Sequence, residues 1–171
     1  MVNKRWEFTG ETKIHSGIIL RRIRATVEFK LRCDIVIRKG EVGGWIEKES
    51  NLCGNAFVSG DALVSGNAEV SGDALVSGSA DVSGNARVSG DAWVYGDAEV
   101  KSSKDYCVYK NTWSSFRWFT YTRSNKMWKV GCFYGTGTEL IAKAYKDGEK
   151  SGKCYEAIVK AQEAIENVME E

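Results

Sequence analysis

The sequence predicts a mainly β protein: a single-stranded β-helix of about three coils, capped by N-terminal strands and followed by a small α+β domain of three strands and two helices. Three features point there. A strict six-residue repeat runs through the middle third of the chain, β-type patterning precedes it, and an aromatic segment ending in helical periodicity follows it.

The repeat carries the most information. Aligned on glycine it reads GNAFVS, GDALVS, GNAEVS, GDALVS, GSADVS, GNARVS, GDAWVY and GDAEVK, preceded in register by the degenerate VGGWIE (42–47) and KESNLC (48–53). A period of six is too short for helix-pair solenoids and fits a β-helix in which each hexad supplies one short strand and one corner. The β-branched residue points inward, and the small alanine two positions earlier fits the crowded corner. Glycine permits the positive φ of the turn, and the adjacent Asn or Asp tolerates it and bonds locally. This run resembles the hexapeptide-repeat left-handed β-helices, in which three hexads close one triangular coil. Left-handedness follows from that resemblance.

With three hexads per coil, residues 18 apart stack on one face, so the position before each valine maps the surface. One face carries Phe57, Leu75 and Trp93. A second carries Trp45, Leu63, Asp81 and Glu99, and the third carries Asn51, Glu69 and Arg87. The apolar stripe Phe57, Leu75 and Trp93 is the candidate interface, because large apolar patches seldom stay exposed. Its cover is expected to be the chain's own flanks, a sister subunit in a homo-oligomer, or a foreign partner.

Enzymes built on this helix need histidine. Hexapeptide-repeat acyltransferases use a histidine base, and gamma-type carbonic anhydrases hold zinc with three histidines. This chain has one, His15, well before the repeat, and its hexads carry no inserted loop. A non-catalytic protein is expected, with an acyltransferase as the weakest alternative. Asp73 and Asp91 stack 18 apart above Asn55 and raise the thought of a cation, but turn geometry already explains these residues. No metal and no cofactor are expected.

Charge divides the chain into blocks that net to +1. Residues 1–50 carry 11 basic and 7 acidic side chains, residues 51–100 carry only Arg87 against 7 acids, and residues 101–153 carry 11 basic against 4 acidic. Such asymmetry concerns partners more than fold. Five unpaired-looking cysteines and the missing apolar export segment in MVNKRWEFTGETK predict a soluble, cytoplasmic setting, with no membrane association.

The expected domains are a β cap over 1–41, the β-helix over 42–101 and the α+β domain over 102–171. IILRRIRA and VEFKLRCDIVIR alternate as strands should, and they would cover the open end of the helix. Arg21, Arg22, Arg24, Arg32, Arg38 and Lys39 make that cap basic. In the last domain YCVYK, SFRWFTYT and KMWKVGCFY read as three strands, with SNK turning between the last two. Thr136 and Glu139 have capping-box spacing and open a helix to about Lys146. A second helix is expected over 152–169, with Tyr155, Ile158, Ile165 and Val168 inward.

Twelve of the 19 aromatic residues fall between Tyr106 and Tyr155, among basic side chains. Cations hold phosphate and rings stack bases. Lys110, Arg117, Tyr121, Arg123, Lys126, Trp128 and Lys129 are therefore the candidate site for a nucleotide or single-stranded nucleic acid, with Arg117, Tyr121 and Arg123 expected on an exposed surface. The alternative is that the aromatics are core and the cations only keep it soluble.

The opening KRWEFTGET, then LRRIRA, then KGEVGGWIEKESNL before the hexads, and GCFYGTGTEL at 131–140, are similar to a group of phage and prophage β-helix proteins. VEFKLRCDIVIR is longer than the connection in that group. The group has no agreed reaction and is often labelled transferase or polymer-forming on its repeat alone. The resemblance implies a phage accessory protein that binds a host protein or nucleoprotein, as an inhibitor or sequestering factor in anti-defence. The alternative is an assembly protein that oligomerises through its β-helix.

Overall fold

A computed structural model describes residues 5–31 and 35–170. The chain begins with two long strands, β1 (Trp6–His15) and β2 (Ile18–Ala25), which form an antiparallel hairpin. Two short strands follow, β3 (Phe29–Lys30) and β4 (Val36–Ile37), before β5 (Val42–Ile46) enters the first coil. Of the inserted stretch, Arg32 and Cys33 lie outside the described residues.

The hexads then give eight strands of two residues each: β6 (Phe57–Val58), β7 (Leu63–Val64), β8 (Glu69–Val70), β9 (Leu75–Val76), β10 (Asp81–Val82), β11 (Arg87–Val88), β12 (Trp93–Val94) and β13 (Glu99–Val100). They stack in parallel as three faces. One face is β6–β9–β12, the second continues the hairpin as β1–β2–β5–β7–β10–β13, and the third is β8–β11. The register joins residues 18 apart, such as Phe57 to Leu75 and Leu75 to Trp93. Backbone N–H groups of one coil donate to carbonyls of the next at about 3 Å, for example Asn55 N to Gly72 O and Leu75 N to Ala92 O, both 2.9 Å.

The chemistry of the hexad accounts for this regularity. From Val58 to Val100 every repeat valine is fully buried, and each preceding alanine is at most 2% exposed. The corner glycines from Gly54 to Gly96 all take φ between +62° and +76°, where an L side chain is strained. Asn55 Nδ2 donates to Asp73 Oδ1 at 2.9 Å, so the stacked corner residues bond to each other.

One hexad departs from the pattern. KESNLC forms a 3-10 turn at Glu49–Asn51 in place of a strand, and Asn51 is fully buried. Its Nδ2 donates to the carbonyls of Gly66 and Ala68 at 3.2 and 2.7 Å, so the residue expected on the third face stitches the turn to the coil below. At the top, Trp6, Ile23, Phe29, Leu31 and Ile37 are buried in one core with the repeat valines. This is the N-terminal cap.

The last domain holds four strands where three were expected: β14 (Tyr106–Lys110), β15 (Trp118–Thr122), β16 (Met127–Val130) and β17 (Phe133–Gly135). KMWKVGCFY, read as one strand, folds back at Gly131–Cys132 so that Val130 pairs with Phe133. Helix α1 (Gly137–Asp147) starts at the expected capping box, with Glu139 N donating to Thr136 Oγ1 at 3.3 Å and Thr136 N to Glu139 Oε2 at 2.8 Å.

Helix α2 (Glu149–Glu170) starts three residues earlier than expected. Gly152, which reads as a breaker, is a packing notch: a Cβ there would collide with the Tyr145 ring of α1. The buried face of α2 also differs. It is Gly152, Tyr155, Val159, Gln162 and Glu166, while Ile165 and Val168 are 47% and 70% exposed.

Candidate functional site

The four-stranded sheet has two occupied faces, and strand alternation decides which residue meets which neighbour. Tyr109, Phe119, Tyr121, Trp128 and Phe133 point to the helices and form a core with Leu140, Ala144, Tyr155 and Val159. Tyr106 and Val108 point the other way and pack on the β-helix core.

That second contact closes the open end of the β-helix. The last coil has no following coil to accept its N–H groups, and buried donors without acceptors are costly. Side chains of the last domain supply the acceptors. Arg87 N donates to Ser103 Oγ at 3.3 Å, Ser89 N to Tyr106 Oη at 3.3 Å, Trp93 N to Thr120 Oγ1 at 2.9 Å and Glu99 N to Ser124 Oγ at 2.8 Å. Lys101 N and Ser102 N both donate to Asp105 Oδ2, at 2.8 and 2.7 Å. The domain is thus a head fitted to the end of a stem. Nothing in the repeat announces these acceptors, because each is an ordinary Ser, Thr, Tyr or Asp.

The stripe Phe57, Leu75 and Trp93 is covered by its own chain. Phe57 is fully buried with the Phe29 ring 5.9 Å away, and Leu75 is 5% exposed. Trp93 is half-buried, donates from Nε1 to Ser77 Oγ at 2.7 Å, and lies under Lys129 Nζ at 4.0 Å from the ring centroid. Of the covers weighed for the stripe, the structure supplies the chain's own flanks.

The expected basic aromatic surface is not assembled. Tyr121 and Trp128 lie in the helix-facing core with rings 5.0 Å apart, because pairing puts them opposite one another on that face. Burial, with Glu166 nearby, pushes the Tyr121 hydroxyl up to about 12. Lys129 faces the stem, buried between Trp93 and Tyr95, and burial lowers its pKa. Lys110 sits over Trp118, and Lys126 pairs with Glu170 at 3.7 Å.

Arg123 Nε lies 3.0 Å from Oε2 of the buried Glu166. Glu166 accepts from Gln162 Nε2 at 2.6 Å, and Gln162 Oε1 accepts from Tyr109 Oη at 2.5 Å. A polar chain therefore runs from the sheet into α2 and explains why Gln162 and Glu166, not Ile165, face inward. Of the seven candidates, Arg117 lines an accessible cleft and has no ion pair or side-chain hydrogen bond among the described residues.

That cleft, about 220 Å³, opens between the 111–117 loop, the β16–β17 turn and the two helices. Arg117 and Lys143 stand on its walls with Asp147 and Ser151, and Val130, Phe133, Leu140 and the Tyr155 ring contribute its apolar part. Asn111, 1% exposed, organises the loop. Its Oδ1 accepts from Trp113 N and Ser114 N at 3.1 and 2.9 Å, and its Nδ2 donates to Tyr155 Oη at 3.1 Å. Burial raises the Tyr155 pKa, with Asn111 and Arg117 acting against it. Asn111 three residues before Ser114 is a turn signal visible in sequence. Lys143 has no local signal, because only α1 docking brings it to the cleft.

His15, at the hairpin tip, has Nε2 3.8 Å from Asp81 Oδ2 on the second face of the stem. Among the described residues no three His, Cys, Asp or Glu side chains gather as a metal site, and no helix is long and apolar enough to cross a membrane.

One family match bears on these features. The YdcK beta solenoid repeat matches residues 82–98. The match covers about one coil, and with the stacked parallel strands it supports a β-helix repeat protein. No curated protein matches the chain.

Proposed function

We propose that this chain is a non-catalytic binding protein in which the β-helix is a rigid stem and the C-terminal domain is the recognition end. The observation that carries the reading is the closure of the last coil by Ser103, Tyr106, Thr120 and Ser124, which fixes the head to the stem and leaves its cleft outward. The place of His15, on a hairpin tip against Asp81 and outside the cleft lining, supports a binding role over acyl transfer.

The phage setting rests on the motifs KRWEFTGET, KGEVGGWIEKESNL and GCFYGTGTEL. In that setting the protein is an inhibitor or sequestering factor that meets its host target, a protein or nucleoprotein, in the bacterial cytoplasm. The alternative, an assembly protein, no longer has the Phe57–Leu75–Trp93 stripe to join copies. What favours it is the exposed pair Ile14 and Ile19, 76% and 57% accessible, on the hairpin.

The test is affinity capture of the full chain from phage-infected cells, beside the Arg117→Glu/Lys143→Glu variant. A discrete host partner lost in the variant supports the reading. Capture of virion proteins by both forms, with a multimeric mass by light scattering, supports assembly.

A further inference from the structure

The cleft of the head has a lining that its structural work does not require. The cations of the sheet are otherwise engaged: Lys110 on Trp118, Arg123 on Glu166, Lys126 on Glu170 and Lys129 on Trp93. Arg117 and Lys143 are not. Both are exposed, both line the cleft, and neither has an ion pair or side-chain hydrogen bond among the described residues. The one acid on the lining, Asp147, is ion-paired to neither, so the walls carry net positive charge.

Arg117 is also supported from beneath. A Cβ on Gly131 would come within 3.1 Å of Arg117 Nη1, so the guanidinium lies against the β16–β17 turn with no side chain between. On the same lining Tyr155 accepts from Asn111 and keeps its own O–H to donate. Asn111 bonds to Trp113 N and Ser114 N in the loop and to Tyr155 Oη, so the loop backbone and the Tyr155 hydroxyl are held in place. Phe133 and Leu140 give the cleft apolar lining beside the charge.

We propose that this cleft binds a small organic anion: a carboxylate or phosphate monoester carrying a compact aromatic or branched aliphatic group. Arg117 and Lys143 take the anionic head in charge-assisted hydrogen bonds, Tyr155 donates a further bond, and the apolar group lies on Phe133 and Leu140. A dry cavity of ~150 Å³ already holds benzene, so 220 Å³ suits a ligand of about ten non-hydrogen atoms and is small for an oligonucleotide. The proposal names a ligand class for the recognition end and rests on that reading for its biological use.

The exposed Cys132 lies on the same lining and reports occupancy. The full chain is titrated with benzoate, phenyl phosphate, neutral benzamide and inorganic phosphate, following Cys132 alkylation by iodoacetamide and backbone amide shifts. Benzoate and phenyl phosphate are expected to slow alkylation about fivefold or more and to shift amides of 111–117 and 131–133, while benzamide does neither. Arg117→Gln and Lys143→Gln should each weaken binding about tenfold without lowering the thermal midpoint, because both side chains are exposed.

Inorganic phosphate binding as tightly as phenyl phosphate would overturn the apolar half of the proposal. No effect of any anion at ~10 mM, a concentration that would nearly saturate a site with a Kd of ~1 mM, would overturn the site itself. Neither result decides the capture experiment, because a macromolecular partner can depend on Arg117 and Lys143 without any small anion entering the cleft.

Discussion

The stem is built of β-strands alone and the head of a sheet with two helices, and their cores are built in opposite ways. The stem buries Val and Ala at fixed intervals, and each residue's partner is always 18 positions away. The head buries rings around a polar chain whose partners are 53 positions apart for Tyr109 and Gln162, and 44 for Asn111 and Tyr155. The stem's core cluster is mostly aliphatic, with Asp91 the one carboxylate buried at its corners among the described residues, whereas the head holds Glu166 and several tyrosines. Repetition gives the stem many equivalent and independently replaceable contacts. The head depends on a few contacts, each made once.

The largest test of that contrast is Trp128→Ala. Trp128 is 2% exposed and touches the rings of Tyr109, Phe119 and Tyr121. Its removal should cost about 3–5 kcal/mol, enough to melt the head's helical signal tens of degrees below the strand signal of the stem. A single transition for both would show that head and stem are one cooperative unit and break the comparison.

Alkaline pH should separate the two regions next. A tyrosine whose folded pKa lies above its unfolded value of ~10 contributes stability that is complete below pH 10 and lost as pH rises toward the folded value. Tyr121 at about 12 is such a group, and burial raises Tyr109 and Tyr155 in the same direction. Lys129, lowered by burial, acts oppositely, since the penalty on its charge is relieved as pH climbs. Three tyrosines outweigh one lysine. Denaturant unfolding followed by helix ellipticity should show the head losing about 2–3 kcal/mol between pH 9.5 and 12, with the stem changing less.

The smallest effect isolates the junction. Gly90 and Gly96 have φ of +69° and +76°, so alanine strains both alike, by about 1–2 kcal/mol. A Cβ on Gly90 meets nothing within 4 Å, while one on Gly96 runs into Tyr134 of the head. Gly96→Ala should therefore be the worse by about 1–3 kcal/mol, and Tyr134→Ala should remove most of the difference. Equal thermal shifts for the two glycine variants would mean that the head does not bear on that corner.

Legibility followed the same division. The faces of the stem from Phe57 onward, down to Phe57 over Leu75 over Trp93, could be read because the period alone sets them, while Asn51 in the degenerate hexad left its expected face for a buried turn. The capping box at Thr136 and Glu139 was equally local. The fourth strand was not, since VGC reads as continuous β sequence until Gly131 takes positive φ. The inward face of α2 was missed because Gln162 and Glu166 become buriable only through Tyr109 and Arg123, which are distant in sequence. Tyr121, Trp128 and Lys129 were misplaced for one physical reason. A sheet with neighbours on both faces has no exposed side, and only a sheet with one free face lets alternation predict a surface. Arg117 survived because it precedes β15 and belongs to a loop.

The closed end of the stem carries a lesson about length. Every hydrogen bond from stem to head described above begins between Arg87 and Lys101, within the last coil. Earlier coils are therefore a spacer with a phase. Removing or adding one coil of eighteen residues moves the head by about 4.8 Å and leaves its rotation unchanged. Removing a single hexad turns the head by a third of a revolution, onto a face with different side chains. Whole coils can thus be added or removed to change the height of the head without redesigning either cap, much as a screw changes height without changing which way its slot points.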